Sequence, residues 1–269
     1  MRVAVVGHVE WVEFIGVQRL PRPGEVAHAH SSFERAAGGG GVVAAVLTDL
    51  GADVDFYCAL GRDATGEAAA EELMQRGIHL HVAWADGPTR RAVTMLEDGG
   101  ERTIVTIGKR LEPSADDRLG WSRVGETAGV YFTAGDVAAL GLARSAPVLV
   151  ASPRARGALA EAAKNGEPAV DALVFSEHDR DEREWATQFA ACARVLVATD
   201  GAAGGRWWGA EEGSWTAQAP PGPVRDSYGC GDSFAAGVMF GLASGRSIGE
   251  AVEVGASCGA RNLTRTGAP

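Results

Sequence analysis

Short apolar runs rich in β-branched residues alternate with longer alanine-rich stretches along the 269 residues of the chain. That alternation is the sequence form of strand–helix–strand units wound around a mostly parallel sheet. Val3–Val6 begins a buried strand, and Val54–Leu60, Val130–Thr133, Val148–Ala151, Ala169–Phe175 and Val195–Thr199 continue the series. Between them, Val42–Leu50 reads as a helix closed by Gly51. Ala64–Arg76 reads as one followed by Gly77, where a left-handed backbone costs little. Helices are also expected at Val137–Arg144, Ala155–Lys164 and Asp181–Ala191, and the final third closes with Asp232–Ser244 and Ile248–Asn262.

Two regions break this rhythm. Arg91–Leu96 and Glu101–Thr106 alternate on either side of Glu97-Asp98-Gly99-Gly100, a β-hairpin signal, and Trp11–Phe33 alternates around a Pro-Arg-Pro-Gly turn. Together, residues 11–33 and 79–107 predict a small β layer projecting from the main sheet. It is either a lid that excludes water from a reaction or a set of edge strands without a further role. Trp207, Trp208 and Trp215 fall across another hairpin and read as an aromatic cluster covering the sheet edge.

Composition narrows the function classes. A hydrophobic share of 46% with 22% charged residues is that of a globular protein, and a formal charge of −10 disfavours a nucleic-acid or anionic-membrane partner. No apolar run reaches the length of a signal peptide core or a membrane span, so a cytoplasmic location is the expectation. Cys58, Cys192, Cys230 and Cys258 are scattered and read as reduced thiols. His28 with His30 and His79 with His81 share strand faces but lack a third ligand in spacing, so no metal site is read from them.

The chemistry concentrates in Asp226-Ser227-Tyr228-Gly229-Cys230-Gly231-Asp232, which runs into an apolar helix. Two glycines flanking a small residue at a helix start leave backbone N–H groups pointing at one spot beside a carboxylate. Phosphoryl transfer needs that pairing of fixed donors and a base. Taken alone, the run reads rather as an ordinary glycine turn capped by an aspartate, and the context elsewhere in the chain reverses that reading. A thiol at Cys230, beside a helix amino terminus, is expected to have some thiolate character.

These residues resemble the ribokinase-like, or PfkB, family of carbohydrate kinases. The family's carboxy-terminal signature is an Asp-Thr-x-Gly-Ala-Gly-Asp run entering a helix, and Asp226–Asp232 matches it with Ser227 for threonine and Cys230 for the central alanine. The glycine run Gly38–Gly41 leading to Leu50-Gly51, the hairpin Asp98–Ile104, and Thr199, Gly201 and Gly204 after a strand match in family order, from Val3 to Gly267.

The resemblance implies one domain over residues 1–269, a ribokinase-like three-layer α/β/α sandwich with a β-sheet lid. It implies ATP- and Mg²⁺-dependent phosphorylation of a hydroxymethyl group on a sugar or sugar-like acceptor. Asp232 would receive the hydroxyl proton, ionised at neutral pH, and the N–H groups of Gly229, Cys230 and Gly231 would hold the phosphoryl group. Gly38, Gly39 and Gly40 would let backbone approach the sugar. Apart from the resemblance, Arg154 follows the strand Val148–Ala151 and reads either as facing a substrate or phosphate at a strand carboxyl end or as an exposed arginine at a helix start. Thr199, Gly201, Gly204 and Asn262 would line the ATP site. Ser176 and Asp179 would replace the family's asparagine and glutamate, Asp179 meeting Mg²⁺ indirectly. K⁺ near Asp226 and a homodimer formed through lid strands such as Arg91–Leu96 are also compatible with the family.

Two departures bear on the acceptor. Val42 stands where the family commonly has a sugar-bonding asparagine. Val12 stands near the family's early aspartate, leaving Glu10 or Glu13 to grip an acceptor hydroxyl. A less polar acceptor such as a nucleoside therefore stands beside the sugar, and a non-catalytic ATP- or sugar-sensing relative is the alternative to an enzyme. A Rossmann dehydrogenase is disfavoured, because Gly7 stands alone without a G-x-G-x-x-G run.

Overall fold

The computed structural model describes residues 1–164, 166, 168–267 and 269. Its first strand, β1 (Arg2–Val6), sends Val3 and Val5 into one core and Ala4 and Val6 into another, as the two-residue period of a strand requires. A strand covered on both faces reads as an unbroken apolar run, which is why this segment was legible. Around it lie β4 (Asp53–Gly61), β5 (His79–Ala85), β8 (Val130–Phe132), β9 (Leu149–Ala151), β10 (Val170–Ser176), β11 (Ala193–Thr199), β12 (Gly205–Gly209) and β13 (Gly213–Trp215). These nine strands run in the order β13-β12-β11-β10-β9-β8-β1-β4-β5, parallel except for the antiparallel edge formed by β12 and β13.

Helices cover both faces. On the Val3 and Val5 side pack α1 (Gly38–Asp49), α2 (Ala64–Gln75), α6 (Cys230–Ala243) and α7 (Ile248–Asn262). On the Ala4 and Val6 side pack α3 (Val137–Ala143), α4 (Arg156–Ala163) and α5 (Arg180–Gln188). The result is the expected three-layer α/β/α sandwich. Because the seven central strands are parallel, the carboxyl ends of β1, β8, β9, β10 and β11 open on the same side, where such folds place their ligands.

A second sheet of four strands has the order β3-β2-β6-β7: β2 (Glu10–Val17), β3 (Ser31–Ala37), β6 (Arg91–Glu97) and β7 (Arg102–Ile107). Both hairpin signals form in it, the second closed by Gly100 N–H donating to Glu97 O at 2.8 Å. Three expectations are corrected. His79–Ala85 belongs to the main sheet, paired in parallel with β4, and not to the projecting layer. The glycine run Gly38–Gly41 is the first turn of α1 rather than a loop before it. Arg91–Leu96 lies inside the small sheet between β2 and β7, so it offers no free edge to a second copy; the open edges are β3 and β7.

The set-aside aromatic and histidine residues have structural partners. Trp207 stacks on Trp215, and Trp215 on Phe234. His79 lies 2.9 Å from Asp53, and His81 lies 2.7 Å from Asp55. Among the described residues no helix is long and apolar enough to cross a membrane, and no cluster of three metal-ligating side chains forms.

Asp55 pins the end of the main sheet remote from the site. It is fully buried, and Arg2 Nε donates to it at 2.6 Å while His81 Nε2 meets its other oxygen. Burial pushes its carboxyl up, but the hydrogen bonds from His81 and Arg2 outweigh burial and hold it below the ordinary value. A depressed carboxyl contributes stability that is present above its unfolded value, about 3.9, and is lost as pH falls through the folded value. Asp55→Ala is therefore expected to lower the unfolding free energy by about 3 kcal/mol at pH 7. Urea melts at pH 7 and pH 3.5 should show that gap narrowing in acid; a gap independent of pH would refute the account.

Candidate active site

The site is built where backbone segments approach too closely for side chains. The chain leaves β1 through Gly7 and His8, and Gly40 of α1 donates its N–H to His8 O at 3.1 Å. A Cβ on Gly40 would fall 2.8 Å from that carbonyl and from the Phe56 ring, so only glycine fits. Gly39 sits between two functional side chains: its Cβ position is 3.2 Å from His8 Cε1 and 3.3 Å from Asp232 Oδ1. A cleft of about 680 Å³ opens here, lined by Tyr228, Gly229 and Asp232 of the signature, the start of α1 and the small sheet.

Asp232 lies in the first turn of α6. The helix begins at Gly229, whose φ of +72° is the left-handed conformation that favours glycine, and Ser233 N–H makes the first helical bond to Gly229 O at 2.8 Å. Four other helices have a side-chain cap, from Asp63, Asp136, Asp179 and Ser247, but the amino end of α6 has none. The N–H groups of Gly231 and Asp232 precede the first helical donor, Ser233, while that of Cys230 makes a long 3.4 Å contact to Ser227 O. An uncapped helix amino end is the geometry that can receive an anion.

The loop before it is fixed from beneath. Asp226 is buried and accepts the N–H of Tyr228 at 2.8 Å and of Gly267 at 2.7 Å, one on each oxygen. Asn262 Nδ2 donates to Tyr228 O at 2.5 Å and lies 3.5 Å from Cys230 Sγ. Asn262 thus supports the Asp226–Asp232 loop from beneath, buried and away from the cleft lining, a correction to its expected place beside the nucleotide. Val42 is corrected in the same way: it is buried, and its Cγ1 lies 3.1 Å from a Cβ built on Gly229, so it props the loop and does not face the acceptor. Burial also pushes the Cys230 thiol above its ordinary value, overturning the expected thiolate character.

On the acceptor side, Glu10 and Glu13 part company because their spacing is odd. Glu10 is buried and lines the cleft; Glu13 points outward from the small sheet and is exposed. Glu10 Oε1 lies 3.0 Å from Arg90 Nε, and burial pushes its carboxyl up against the opposing pull of Arg90, Arg154 and Arg110. Arg154, just past β9, lines the cleft and donates through Nε to Glu182 at 2.6 Å. Burial disfavours its charge, but Asp232 and Glu182 outweigh that and raise it. Arg110 Nη2 reaches the backbone oxygen of Arg154 at 2.9 Å. From the small sheet, Arg102 Nη1 donates to Ser227 Oγ at 3.0 Å and so bridges the lid to the signature.

The remaining candidates sit along the adjacent strand ends. Ser176 and Thr199 are register partners at the ends of β10 and β11. Asp179 caps α5 and lines the cleft. Gly201 and Gly204 form the turn joining β11 to β12, where Asp200 meets His178 Nε2 at 3.0 Å. Sequence reasoning missed His8, Arg90, Arg110 and the buried Glu182, which also accepts the N–H of Ser176 at 3.0 Å. The acidic run Asp179–Glu184 was the available signal for Glu182, and the lone loop arginines carried none.

A family model described as pfkB family carbohydrate kinase matches residues 1–269. An ATP-dependent ribose-1-phosphate kinase of Halopiger xanaduensis is 26% identical over 280 residues, covering 100% of this chain and 94% of that protein. A ribokinase of Arabidopsis thaliana is 32% identical over 110 residues, which are 39% of this chain and only 29% of that protein. The solved structure of a microbiome-derived acarbose kinase shares the fold, with a TM-score of 0.82 at 23% identity over 99% of this chain and 93% of that one.

Two outcomes test the loop. Gly229→Ala forces a left-handed alanine against Val42 and should cost about 1–2 kcal/mol of stability. Gly231→Ala, with nothing within 4 Å of its Cβ position, should change stability by less than about 1 kcal/mol in either direction; equal losses in thermal melts would contradict the geometry. Iodoacetamide labelling of Cys230 at pH 7 should run slower than that of an unstructured cysteine peptide, with its rate rising only above the ordinary thiol range.

Proposed function

The chain belongs to the pfkB family of carbohydrate kinases, and on that premise we propose that the cleft transfers the γ-phosphoryl group of ATP to a hydroxyl of a sugar-like acceptor held beside Asp232. The observation that carries the reading is the uncapped amino end of α6 with Asp232 in its first turn and the glycine start of α1 against its carboxylate. Fixed donors and a base then face one point.

In the transfer, the acceptor oxygen forms a bond to the γ-phosphorus and the bond from that phosphorus to the bridging oxygen breaks. ADP leaves with the electron pair, and the hydroxyl proton passes to Asp232. Most of the charge at the transition state lies on the phosphoryl oxygens, so the N–H donors at Gly229, Cys230 and Gly231 carry more of the stabilisation than the base does. Arg154, drawn toward Asp232 electrostatically, adds positive charge on the acceptor flank.

ATP would lie along the ends of β10 and β11, with Thr199 and the Gly201–Gly204 turn beside its nucleoside part and Ser176 and Asp179 toward its phosphates. Mg²⁺ fits as a nucleotide-borne ion, because the described residues form no cluster of three ligands but do place Asp179 in the cleft. Bound there, it supplies charge neutralisation at the phosphates. A monovalent cation at Asp226 draws no support from the donor set, since two main-chain N–H groups already occupy its two oxygens. Val42 lies beneath the loop and so gives no argument for a less polar acceptor, and the intact Asp232 argues against a non-catalytic relative.

Asp232→Asn should lower kcat by about 10²–10⁴-fold while ATP still raises the melting temperature. Turnover within tenfold of wild type would remove Asp232 from the role of base.

A further inference from the structure

One side of the cleft gathers His8, Arg90, Arg110 and Arg154, with the carboxylates of Glu10, Glu112 and Glu182 against the arginines. His8 Nε2 accepts the N–H of Gly39 at 3.3 Å, and burial together with Arg110, Arg154 and Arg90 pushes its pKa well down, so the ring is neutral and carries its proton on Nδ1. That Nδ1 is buried and has no partner, although His8 is only 4% exposed. Arg90 Nε is buried too and makes no aligned hydrogen bond; Glu10 meets it off the N–H direction. Arg154 touches Glu182 through Nε, at the back of its guanidinium. Arg110 spends Nε on Glu112 and Nη2 on the Arg154 carbonyl.

A guanidinium has five donors and no acceptor, so three of them together with the His8 N–H leave most of this wall's capacity open. Hydroxyls of a neutral sugar both donate and accept, and a site that reads them supplies amides and carboxylates. Among the described residues, no asparagine or glutamine lines the cleft. The acceptors are carboxylates: Asp232 is taken by the reacting hydroxyl, Glu10, Glu112 and Glu182 are each paired with an arginine, and Asp179 and Asp181 also line the cleft. Lys109 and Arg102 line the same cleft and pair with no carboxylate among the described residues, in a chain whose formal charge is −10.

We infer that the acceptor carries an anionic group, a phosphate or a carboxylate, seated among Arg90, Arg110 and Arg154 with the His8 Nδ1–H beside it. This rests on the kinase reading of the cleft and names its substrate class. Oxygen atoms of an anion accept on every side, which matches the guanidinium donors that Glu10, Glu112 and Glu182 leave unused, and the planar guanidinium fork suits phosphate and carboxylate alike. Glu10 then reads the hydroxyl next to the anion, and Asp232 the hydroxyl that reacts.

The test compares matched acceptors with the full chain and Mg-ATP: pentoses and hexoses, their 1- and 6-phosphates, and the corresponding aldonic acids. At least one anionic acceptor should exceed its neutral parent about 100-fold in kcat/KM, and the phosphate and carboxylate arms identify which anion is read. Arg110→Gln, and Arg90→Gln where it folds, should raise the KM of that acceptor roughly 10- to 100-fold and leave the KM of ATP within about threefold, with Arg90→Lys recovering part of the loss. Neutral parents turned over as well as or better than their anionic partners would overturn the inference and leave the kinase reading standing. If nothing is turned over, calorimetric titration of the Asp232→Asn variant decides. Binding of an anionic acceptor in preference to its parent supports the inference and strikes the kinase reading. Binding of neither, or of the neutral one, defeats the inference.

Discussion

Everything at this site depends on the contact between the backbone leaving β1 and the first turn of α1. Gly7 and Gly40 pack so closely that a Cβ on Gly7 would fall 3.0 Å from Gly40 Cα and 2.7 Å from the Thr133 methyl. Any side chain at either position would drive the strand connection and the helix apart. That displacement would carry His8 and Glu10 away from Asp232, because all three are placed by the same few residues. The glycine run is therefore first a packing device between two main-chain segments. Its openness to a ligand follows from that packing, since Gly38 and Gly39 form the part of the turn left facing the cleft.

The helix ends divide the molecule into scaffold and site. Asp63, Asp136, Asp179 and Ser247 satisfy the amino ends of α2, α3, α5 and α7 with side-chain oxygens. At α1 the same work is done by His8, through its backbone oxygen and its ring nitrogen. At α6 no side chain does it. Helix α4, which follows a 3-10 turn, also lacks a side-chain cap, but only at α6 does the free amino end carry a carboxylate in its first turn facing the cleft, an arrangement suited to a charged group.

The sheet and the phosphate loop were legible for different reasons. Val3–Val6 and Val195–Thr199 are apolar on both faces and have no reading other than interior strands. Asp226–Asp232 was legible through its context, because the run follows, in family order, the glycine run Gly38–Gly41 and the turn residues Thr199, Gly201 and Gly204. His79–Ala85 was misplaced because its alternation suits a half-covered edge strand of either sheet, and only pairing to β4 decides. Val42 and Cys230 misled because each was judged by its position in the chain alone; the structure buries Val42 beneath Gly229 and packs Cys230 against Asn262. Arg90 and Arg110 were invisible because each is a lone basic residue in a connection, and their convergence on His8 is a product of tertiary folding. The transfer machinery is local in sequence, whereas acceptor recognition is assembled from distant loops.

That assembly bears on a difficulty of the reaction itself. Bringing an anionic acceptor to the phosphates of ATP sets like charges against each other; at about 8 Å and an effective dielectric of about 20 each pair of unit charges repels by about 2 kcal/mol. The surface of this acidic chain would add to the cost. The arginines offset both terms, and their own carboxylate partners, Glu10, Glu112 and Glu182, keep them ordered when the cleft is empty. Each partner contact to Arg90 and Arg154 runs through Nε, so order is maintained without closing the forks that face the ligand. The arrangement also explains why Glu10 is buried beside cations instead of standing free: a carboxylate open to the cleft would repel the group that the neighbouring guanidiniums attract. Paired with Arg90, it still offers one oxygen to a hydroxyl while contributing little net charge to the wall.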